Sequence, residues 1–377
     1  MIKWLLKYGV VIFVFNSILL SIESTYVIGN QIFLALMGIF LFVLLINPML
    51  IKTILFHKAF SFLLFINLLN LLYFFLFHSI SDYDAIKYLM ARSVEFSIIS
   101  TSIFFNYEYY KNKFLDHLVY VVLGIVVFGF VIDPSLFSGR YSGIIWNPNM
   151  FSSLVIIAFS IHFLKHEKLT RSDYFILFIL LISALASGSR NSLVALILVF
   201  IFKYGFTSKN VMYGFFALVI SLFILTINLE TSINRFVDNT FNDRILQFEY
   251  AYISVQEKLF TGYGLDKYAY INKSLVPIHL KDKIIGAHNG YLAILAQYGI
   301  IFGSVILFLI FRKSLQAYFY FKNKKSFESV YLFIILYVLI ASIYESLITG
   351  INEFSTILFW FSTSILSYSM FLKENES

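Results

Sequence analysis

The sequence predicts an all-α polytopic membrane protein, and three properties of its composition support this fold class. Of 377 residues, 60% are hydrophobic and only 13% are charged, whereas soluble domains are about 25% charged. The apolar runs are continuous rather than alternating, which favours membrane helices over the strands of a membrane barrel. Only four prolines are present to interrupt them. This composition excludes a soluble enzyme, a disordered chain and a nucleic-acid-binding protein.

Twelve apolar runs are long enough to be candidates for crossing a hydrocarbon core of about 30 Å. The first run lacks a signal-peptide cleavage pattern, so we expect it to remain as a membrane helix. We expect residues 1–377 to form a single integral membrane domain. The predicted spans are residues 5–22, 27–47, 58–78, 87–106, 116–132, 149–164, 173–187, 191–204, 211–228, 288–311, 328–348 and 352–372.

The distribution of positive charge predicts the orientation of these spans. When the N-terminus is placed in the cytoplasm, most of the 28 Lys and Arg residues lie in cytoplasmic segments. The short outer loops then hold only Lys87, Arg140 and Arg190. Both termini are therefore predicted to be cytoplasmic. The net charge of +7 mostly reflects this orientation, which makes the basic residues of the outer face the informative ones.

One long outer segment, residues 229–287, interrupts the series of spans. Six of its apolar residues recur at spacings of three or four, which predicts an amphipathic helix. They are Phe241, Ile245, Phe248, Tyr252, Val255 and Leu259. Thr240 and Asp243 fit a capping box at its start, and Thr261-Gly262 are expected to end it.

Sequence motifs for cofactors and metals are missing from the chain. It contains no cysteine, and therefore no disulfide and no thiolate metal site. No phosphate-binding loop, HExxH motif or nucleophile elbow occurs in it. We therefore predict neither a cofactor nor a metal.

Arg190 lies at the turn of a predicted membrane hairpin whose second arm, Asn191–Phe202, is short. A helix of about 12 residues extends roughly 18 Å, which is less than the hydrocarbon core. Arg190 is therefore predicted to sit below the outer surface. Arginine near mid-membrane costs at least about 2.5–3.5 kcal/mol unless it faces a polar cavity or an anion. The glycine break beside it favours an anion site over a snorkelling arginine.

His288 immediately precedes an uncharged span, which places it at the outer N-terminus of a helix. The unpaired N–H groups and the dipole of a helix attract phosphate to that end. Histidine can accept a proton near neutral pH, so a catalytic base is one interpretation of this residue. Simple capping of the helix is the other.

Further arginines lie on the same outer face. Arg140 precedes Asn147-Pro148-Asn149, and Arg235 and Arg244 lie before or at the start of the loop helix. Each one alone is typical of a solvated surface charge. Together with a histidine they indicate a phosphate site, because arginine binds phosphate through two parallel hydrogen bonds.

Four other charged residues have plainer interpretations. Arg92 and Glu95 lie one turn apart in the fourth span, which predicts an intrahelical ion pair. Glu345 and Glu353 flank the last outer turn. Either is an alternative carboxylate base or an acid of the membrane interface.

Taken together, these motifs resemble the O-antigen polymerase/ligase superfamily, which comprises the Wzy-type polymerases and WaaL-type ligases of bacterial surface polysaccharide assembly. The resemblance covers roughly residues 140–310 and depends on the order of the motifs and their side of the membrane. The motifs are Arg140 with Asn147-Pro148-Asn149, Ser189-Arg190, Arg244, Gly262-Tyr263-Gly264-Leu265 and His288-Asn289.

The resemblance implies a GT-C-like fold and a metal-independent glycosyltransferase. Such an enzyme uses undecaprenyl-diphosphate-linked oligosaccharides at the periplasmic face of the bacterial inner membrane. By the resemblance, Arg190 and Arg244 hold the donor diphosphate and His288 deprotonates the acceptor hydroxyl. A chain-length regulator, a flippase and membrane lipid are the implied partners. The implied substrate-binding residues are Arg140, Asn147, Asn149, Arg235 and Asn289.

Two positions favour a polymerase over a ligase. Where the ligase pattern expects Gly, Thr or Tyr, this chain has Phe302, and where it expects Leu it has Val194. A polymerase moves the growing chain to the non-reducing end of another lipid-linked unit, whereas a ligase moves it to lipid A-core. A lipid-linked sugar flippase or transporter is an alternative from another class, but it predicts internal repeats that the sequence lacks. A SEDS-type peptidoglycan polymerase is a further alternative.

Overall fold

The computed structural model describes residues 2–137, 140–205, 207, 241–284, 286–322 and 327–376. Within these ranges it has thirteen α-helices and no β-sheet, and an isolated antiparallel bridge joins Ile22 to Ile145. The helices are α1 (Ile2–Leu19), α2 (Tyr26–Ile46), α3 (Pro48–Leu55), α4 (Ser61–Phe77), α5 (Tyr83–Asn112), α6 (Phe114–Ile132), α7 (Pro148–Lys165), α8 (Arg171–Ala186), α9 (Arg190–Tyr204), α10 (Phe241–Glu257), α11 (Gly290–Phe321), α12 (Phe327–Ala341) and α13 (Phe354–Glu376).

The predicted class, an all-α polytopic membrane protein, is confirmed. Each predicted span coincides with a helix except 211–228, which lies outside the described residues. Among the described residues, six helices are long and apolar enough to cross a membrane, and α4 and α12 are shorter apolar helices. The total of twelve spans stays a prediction.

Helices α9 and α11 are among those whose length differs from the prediction. The second arm of the predicted hairpin, α9, has 15 residues and begins at Arg190 itself, so it is longer than the predicted arm. Helix α11 continues to Phe321, well beyond residue 311, and it is broken at Gly299. The apolar pattern did not reveal this break, because glycine is tolerated within a helix as well as at its interruption.

Gly299 breaks α11 because its backbone is left-handed, with φ of +69°. A Cβ atom at this position would lie 2.3 Å from the carbonyl oxygen of Phe260. The space is taken by the turn at Gly262, whose neighbour Tyr263 donates its N–H to the carbonyl of Ala296 (2.8 Å). Ile300 donates to the carbonyl of Leu259 (2.6 Å). The turn that follows the loop helix is therefore hydrogen-bonded into the break in α11.

Helix α5 is the centre of the bundle, where it packs against α1, α4 and α13. Its residue Arg92 is fully buried and donates to Glu95 Oε2 (2.8 Å), which confirms the predicted ion pair. The same guanidinium donates to the carbonyl oxygens of Thr349 (2.7 Å) and Gly350 (3.1 Å). Arg92 thus anchors the loop 342–353, which joins α12 to α13.

The start of α11 and the end of α12 are joined directly. Gly290 donates its N–H to the carbonyl of Ser342 (2.7 Å), and the Asn289 side chain donates to the carbonyl of Ile343 (3.0 Å). Tyr291 Oη donates to the carbonyl of Leu339 (2.5 Å). These contacts place Asn289, the residue before α11, beside the loop that follows α12.

Candidate active site

Glu345 is the meeting point of three chain segments. Its Oε1 accepts hydrogen bonds from Arg244 Nη2 (2.9 Å) and from Asn149 Nδ2 (3.2 Å). Its Oε2 lies 3.0 Å from Nδ1 of His288. The carboxylate is largely buried, with 15% of the side chain exposed. We name Glu345 with Arg244, Asn149 and His288 the Glu345 cluster.

The backbone holds the His288 ring in place. His288 has φ of +35°, a left-handed conformation that is strained for a residue with a side chain. Ala287 on one side donates its N–H to the carbonyl of Ala269 (3.0 Å). Asn289 on the other side caps α11 by accepting from the N–H groups of Tyr291 (3.0 Å) and Leu292 (2.8 Å). Because both flanks are fixed, the ring faces Glu345 through Nδ1, and its other nitrogen, Nε2, points away from the carboxylate.

Arg244 reaches the cluster from the first turns of α10. Its Nη1 donates to the carbonyl of Tyr344 (3.2 Å), while Nη2 binds Glu345. The side chain is one-third exposed, so part of the guanidinium faces solvent. Gln247, one turn further along, donates to the carbonyl of Lys283 (3.3 Å) and fastens this end of α10 to the loop before His288.

The predicted loop helix is present as α10. Of the predicted apolar stripe, Val255 is buried, whereas Ile245, Phe248 and Tyr252 are at least half exposed. The neighbouring small residue Ala251 is buried against the first turns of α11 instead. The spacing of the apolar residues predicts the helix, but it does not indicate which side of the helix a neighbouring segment covers. An exposed stripe of apolar and aromatic side chains is typical of a helix at a membrane interface. The predicted cap at Thr240 lies outside the described residues.

Arg140 and Asn149 extend the cluster along the same end of the bundle. Arg140 Nη2 donates to Asn149 Oδ1 (2.6 Å), and Asn149 in turn donates to Glu345. Asn147 instead caps α7, since its Oδ1 accepts the N–H of Asn149 (2.8 Å). The Arg140 segment is therefore linked to Glu345 through a single asparagine.

Arg190 is half-buried at the first position of α9, at the same end of the bundle. Tyr141, next to Arg140, donates its N–H to the carbonyl of Ala186, the last residue of α8 (3.0 Å). The backbone thus brings the Arg140 loop onto the turn that presents Arg190. Arg235, the other predicted arginine, lies outside the described residues.

Sequence reasoning proposed Glu345 only as an alternative base and missed its central position. Its partners are 57, 101 and 196 residues away along the chain, so no local spacing signals the contacts. The available signal was an acid beside the last predicted outer turn. The second acid, Glu353, packs against Gly350 in the same loop, with Thr356 Oγ1 3.4 Å away.

The cluster is better suited to an anion than to a metal. Its one carboxylate already accepts hydrogen bonds from a guanidinium and an amide. The Arg244 guanidinium, which remains partly exposed, is a donor for phosphate or sugar oxygens, and Nε2 of the His288 imidazole is left to accept or donate a proton.

A comparison with known families agrees with this chemistry. A family model described as O-antigen ligase matches residues 175–309, a range that contains Arg190, Arg244 and His288. This matched segment belongs to the O-antigen polymerase/ligase superfamily. No curated protein matches the chain.

Membership of this superfamily supports a role in surface polysaccharide synthesis, as a glycosyltransferase-like membrane enzyme that acts on lipid-linked oligosaccharides. It does not distinguish a polymerase from a ligase. Asn149 and Glu345 lie outside the matched range. The cluster therefore joins residues that belong to the matched segment with residues that the fold brings to it.

Proposed function

We propose that this protein is a polymerase of O-antigen or a related surface polysaccharide. It transfers a glycan chain from undecaprenyl diphosphate to the non-reducing end of another lipid-linked repeat unit. The reaction takes place at the periplasmic face of the bacterial inner membrane, with both termini in the cytoplasm. The observation that carries the proposal is the Glu345 cluster, which holds a histidine and an arginine side by side at the outer end of the bundle.

Arginines bind the donor in this proposal. Undecaprenyl diphosphate leaves readily once its charge is neutralised, and fixed cations do so without reorganising at the moment of reaction. Arg244, one-third exposed, and Arg190, at the start of α9, provide this charge. Arg140 and Asn149 contact a further phosphate or sugar oxygen.

His288 acts as the base. When its Nδ1–H donates to Glu345, the lone pair of the neutral ring lies on Nε2, where it can accept the proton of the acceptor hydroxyl. The acceptor oxygen then forms a bond to the anomeric carbon as the bond from that carbon to the phosphate oxygen breaks. The diphosphate leaves with the electron pair, and the anomeric configuration inverts. Glu345 balances the positive charge that His288 acquires.

A ligase is the second candidate, because the matched family model is described as O-antigen ligase. Of the two departures from the ligase pattern, Phe302 packs edge-on against Tyr73 and Phe77 at the interface of α4 and α11. Packing between these helices is enough to explain Phe302. Val194 is therefore the remaining departure from the ligase pattern that favours a polymerase.

The test uses purified protein with purified lipid-linked repeat units. Wild type is expected to extend them into a ladder of polymer, and Arg190→Ala and His288→Ala are expected to lose extension. His279→Ala and Lys281→Ala are matched controls, because both residues are solvent-facing and lie in the same loop as His288. Normal polymer length from both Arg190→Ala and His288→Ala would contradict the site.

Expression in host strains separates the candidate functions. In a strain that lacks its polymerase, restoration of the laddered polymer identifies a polymerase. In a strain that lacks its ligase, attachment of glycan to lipid A-core identifies a ligase. Transport of lipid-linked sugar without a new glycosidic bond would replace both candidates by a flippase.

A further inference from the structure

A second group of reactive side chains lies at the other end of α7. His162 and His166 are on and just after the last turn of this helix, and Asp173 is in the first turn of α8. We propose that these three residues bind a divalent transition-metal cation of the Zn²⁺ class. The cation joins the end of α7 to the start of α8.

The geometry is close to that of a bound cation. Nε2 of His162 lies 3.0 Å from Oδ1 of Asp173, and the two imidazole centroids are 4.8 Å apart. One ligand atom from each of the three residues lies within 4.8 Å of the others. Ligands at about 2.1 Å from a tetrahedral Zn²⁺ are roughly 3.4 Å apart, so the most distant pair has to approach by about 1.4 Å at most to complete the site.

Burial distinguishes this cluster from an ordinary surface ion pair. The side chains of His162 and Asp173 are 8% and 13% exposed. His162 Nε2 is enclosed and makes no hydrogen bond of acceptable direction, although the Asp173 carboxylate is beside it. An enclosed imidazole nitrogen that faces a carboxylate without a hydrogen bond is satisfied when both are ligands of one cation.

Asp173 is oriented by its own helix cap. Its Oδ2 accepts from the N–H (2.7 Å) and the hydroxyl (2.7 Å) of Thr170, which forms a capping box and leaves Oδ1 directed at His162. Hydrogen bonds of this kind fix a metal-ligating carboxylate in other proteins. The sequence alone did not indicate the site, because the capping box explains Asp173 without a ligand.

Neighbouring charges are compatible with a cation. Lys165 binds Asp116 Oδ2 (2.6 Å), and Lys203 donates to the main-chain carbonyls of His166 (3.0 Å) and Phe163. Both ammonium groups are thus directed to other oxygens. Three protein ligands leave one position of a tetrahedral site for water.

The proposed cation is separate from the proposed reaction. From Asn149 to His162, α7 rises about 20 Å. The metal independence proposed for the transfer reaction is therefore unaffected. The cation stabilises the hairpin of α7 and α8, whose far end presents Arg190.

The test measures metal binding by the full-length protein, purified in detergent through a tag without histidine. Zn²⁺ is titrated in competition with a chromophoric chelator, and Co²⁺ is added as a spectroscopic probe. We expect about one Zn²⁺ per chain and the visible absorption of four-coordinate Co²⁺. Inductively coupled plasma mass spectrometry after dialysis gives the stoichiometry independently.

Three variants make the test specific. His166→Gln and Asp173→Asn are expected to weaken Zn²⁺ binding at least tenfold, and Asp173→Asn keeps an acceptor for Thr170. His117→Gln is the matched control, since His117 is exposed at the end of the bundle where His166 lies and is expected to leave binding unchanged. Equal binding by wild type and both ligand variants, with all proteins monodisperse, would overturn the proposal. So would an octahedral Co²⁺ spectrum.

Discussion

At the scale of single residues, Glu345 organises the candidate site. It compensates the charge of Arg244, fixes the orientation of His288 and receives the Asn149 side chain. A carboxylate in this position does two things for a histidine base. It selects the tautomer with the free lone pair on Nε2, and it stabilises the imidazolium that forms.

Glu345→Gln tests this role. The amide keeps the shape of the side chain but cannot balance the imidazolium, so we expect kcat to fall about 100-fold, at the lower end of what a positioned base contributes. The rate of polymer extension with purified lipid-linked units is the measurement. Glu249→Gln on the exposed side of α10 is the control and is expected to match wild type. Wild-type kcat from Glu345→Gln would remove Glu345 from the mechanism.

At the scale of secondary-structure elements, the site depends on the contact of α10 with α11. Helix α10 packs on the first turns of α11, and the turn that follows it is hydrogen-bonded at the break in α11. Gly262 and Gly299 both have φ of +69°, and a Cβ on either would collide with backbone of the other segment. The outer part of α11 and the loop therefore form one packed unit, which carries both Arg244 and His288.

Gly299→Ala tests the packed unit. The added methyl group has to occupy the space of the Phe260 carbonyl, and a left-handed alanine alone costs about 1–2 kcal/mol. We expect a lower unfolding temperature and faster hydrogen exchange in residues 258–264. Gly124→Ala in α6 is the matched control, because a Cβ there meets nothing within 4 Å and the helix gains about 0.5–1 kcal/mol. Equal stability of wild type and Gly299→Ala would contradict the packed unit of α11 and the loop.

At the scale of the whole molecule, the described helices place the predicted outer residues at one end of a bundle. Arg140, Arg190, Arg244 and His288 come together there although they are spread over roughly 150 residues of sequence. The opposite end carries Lys165 and Lys203, in agreement with the predicted bias of positive charge toward the cytoplasm. The two ends of the bundle are therefore expected to face different compartments.

The chain has no cysteine, so single cysteines can report which end faces which compartment. We expect Ser274→Cys, exposed in the loop before α11, to react in intact spheroplasts with a maleimide that cannot cross membranes. Asn112→Cys, exposed at the end of α5, is expected to react only after permeabilisation. The reverse pattern would place the Glu345 cluster in the cytoplasm and contradict the periplasmic site.

Sequence patterns predicted helices well and contacts poorly, for physical reasons. Hydropathy reports burial in lipid or protein, so it located helices such as α6 and α13 within a few residues. It does not report which helix is the neighbour, so the apolar stripe of α10 could not indicate whether protein or the membrane surface covers it. Arg244 and His288 were found because their charge is unusual on the outer face. Their common partner Glu345 is defined only by tertiary structure.

The Glu345 cluster also has a consequence for biosynthesis. Its residues are synthesised in the order Asn149, Arg244, His288 and Glu345. Glu345 follows α12 in the chain, so it reaches the site only after α12 has been synthesised and inserted. A nascent chain that already carries the earlier three still lacks the carboxylate that neutralises Arg244. If Arg244 binds the donor diphosphate as proposed, a lipid diphosphate that binds before insertion is complete would compete with Glu345 for this arginine. Synthesis in membranes depleted of the lipid diphosphate would reveal whether this lipid slows the final folding step.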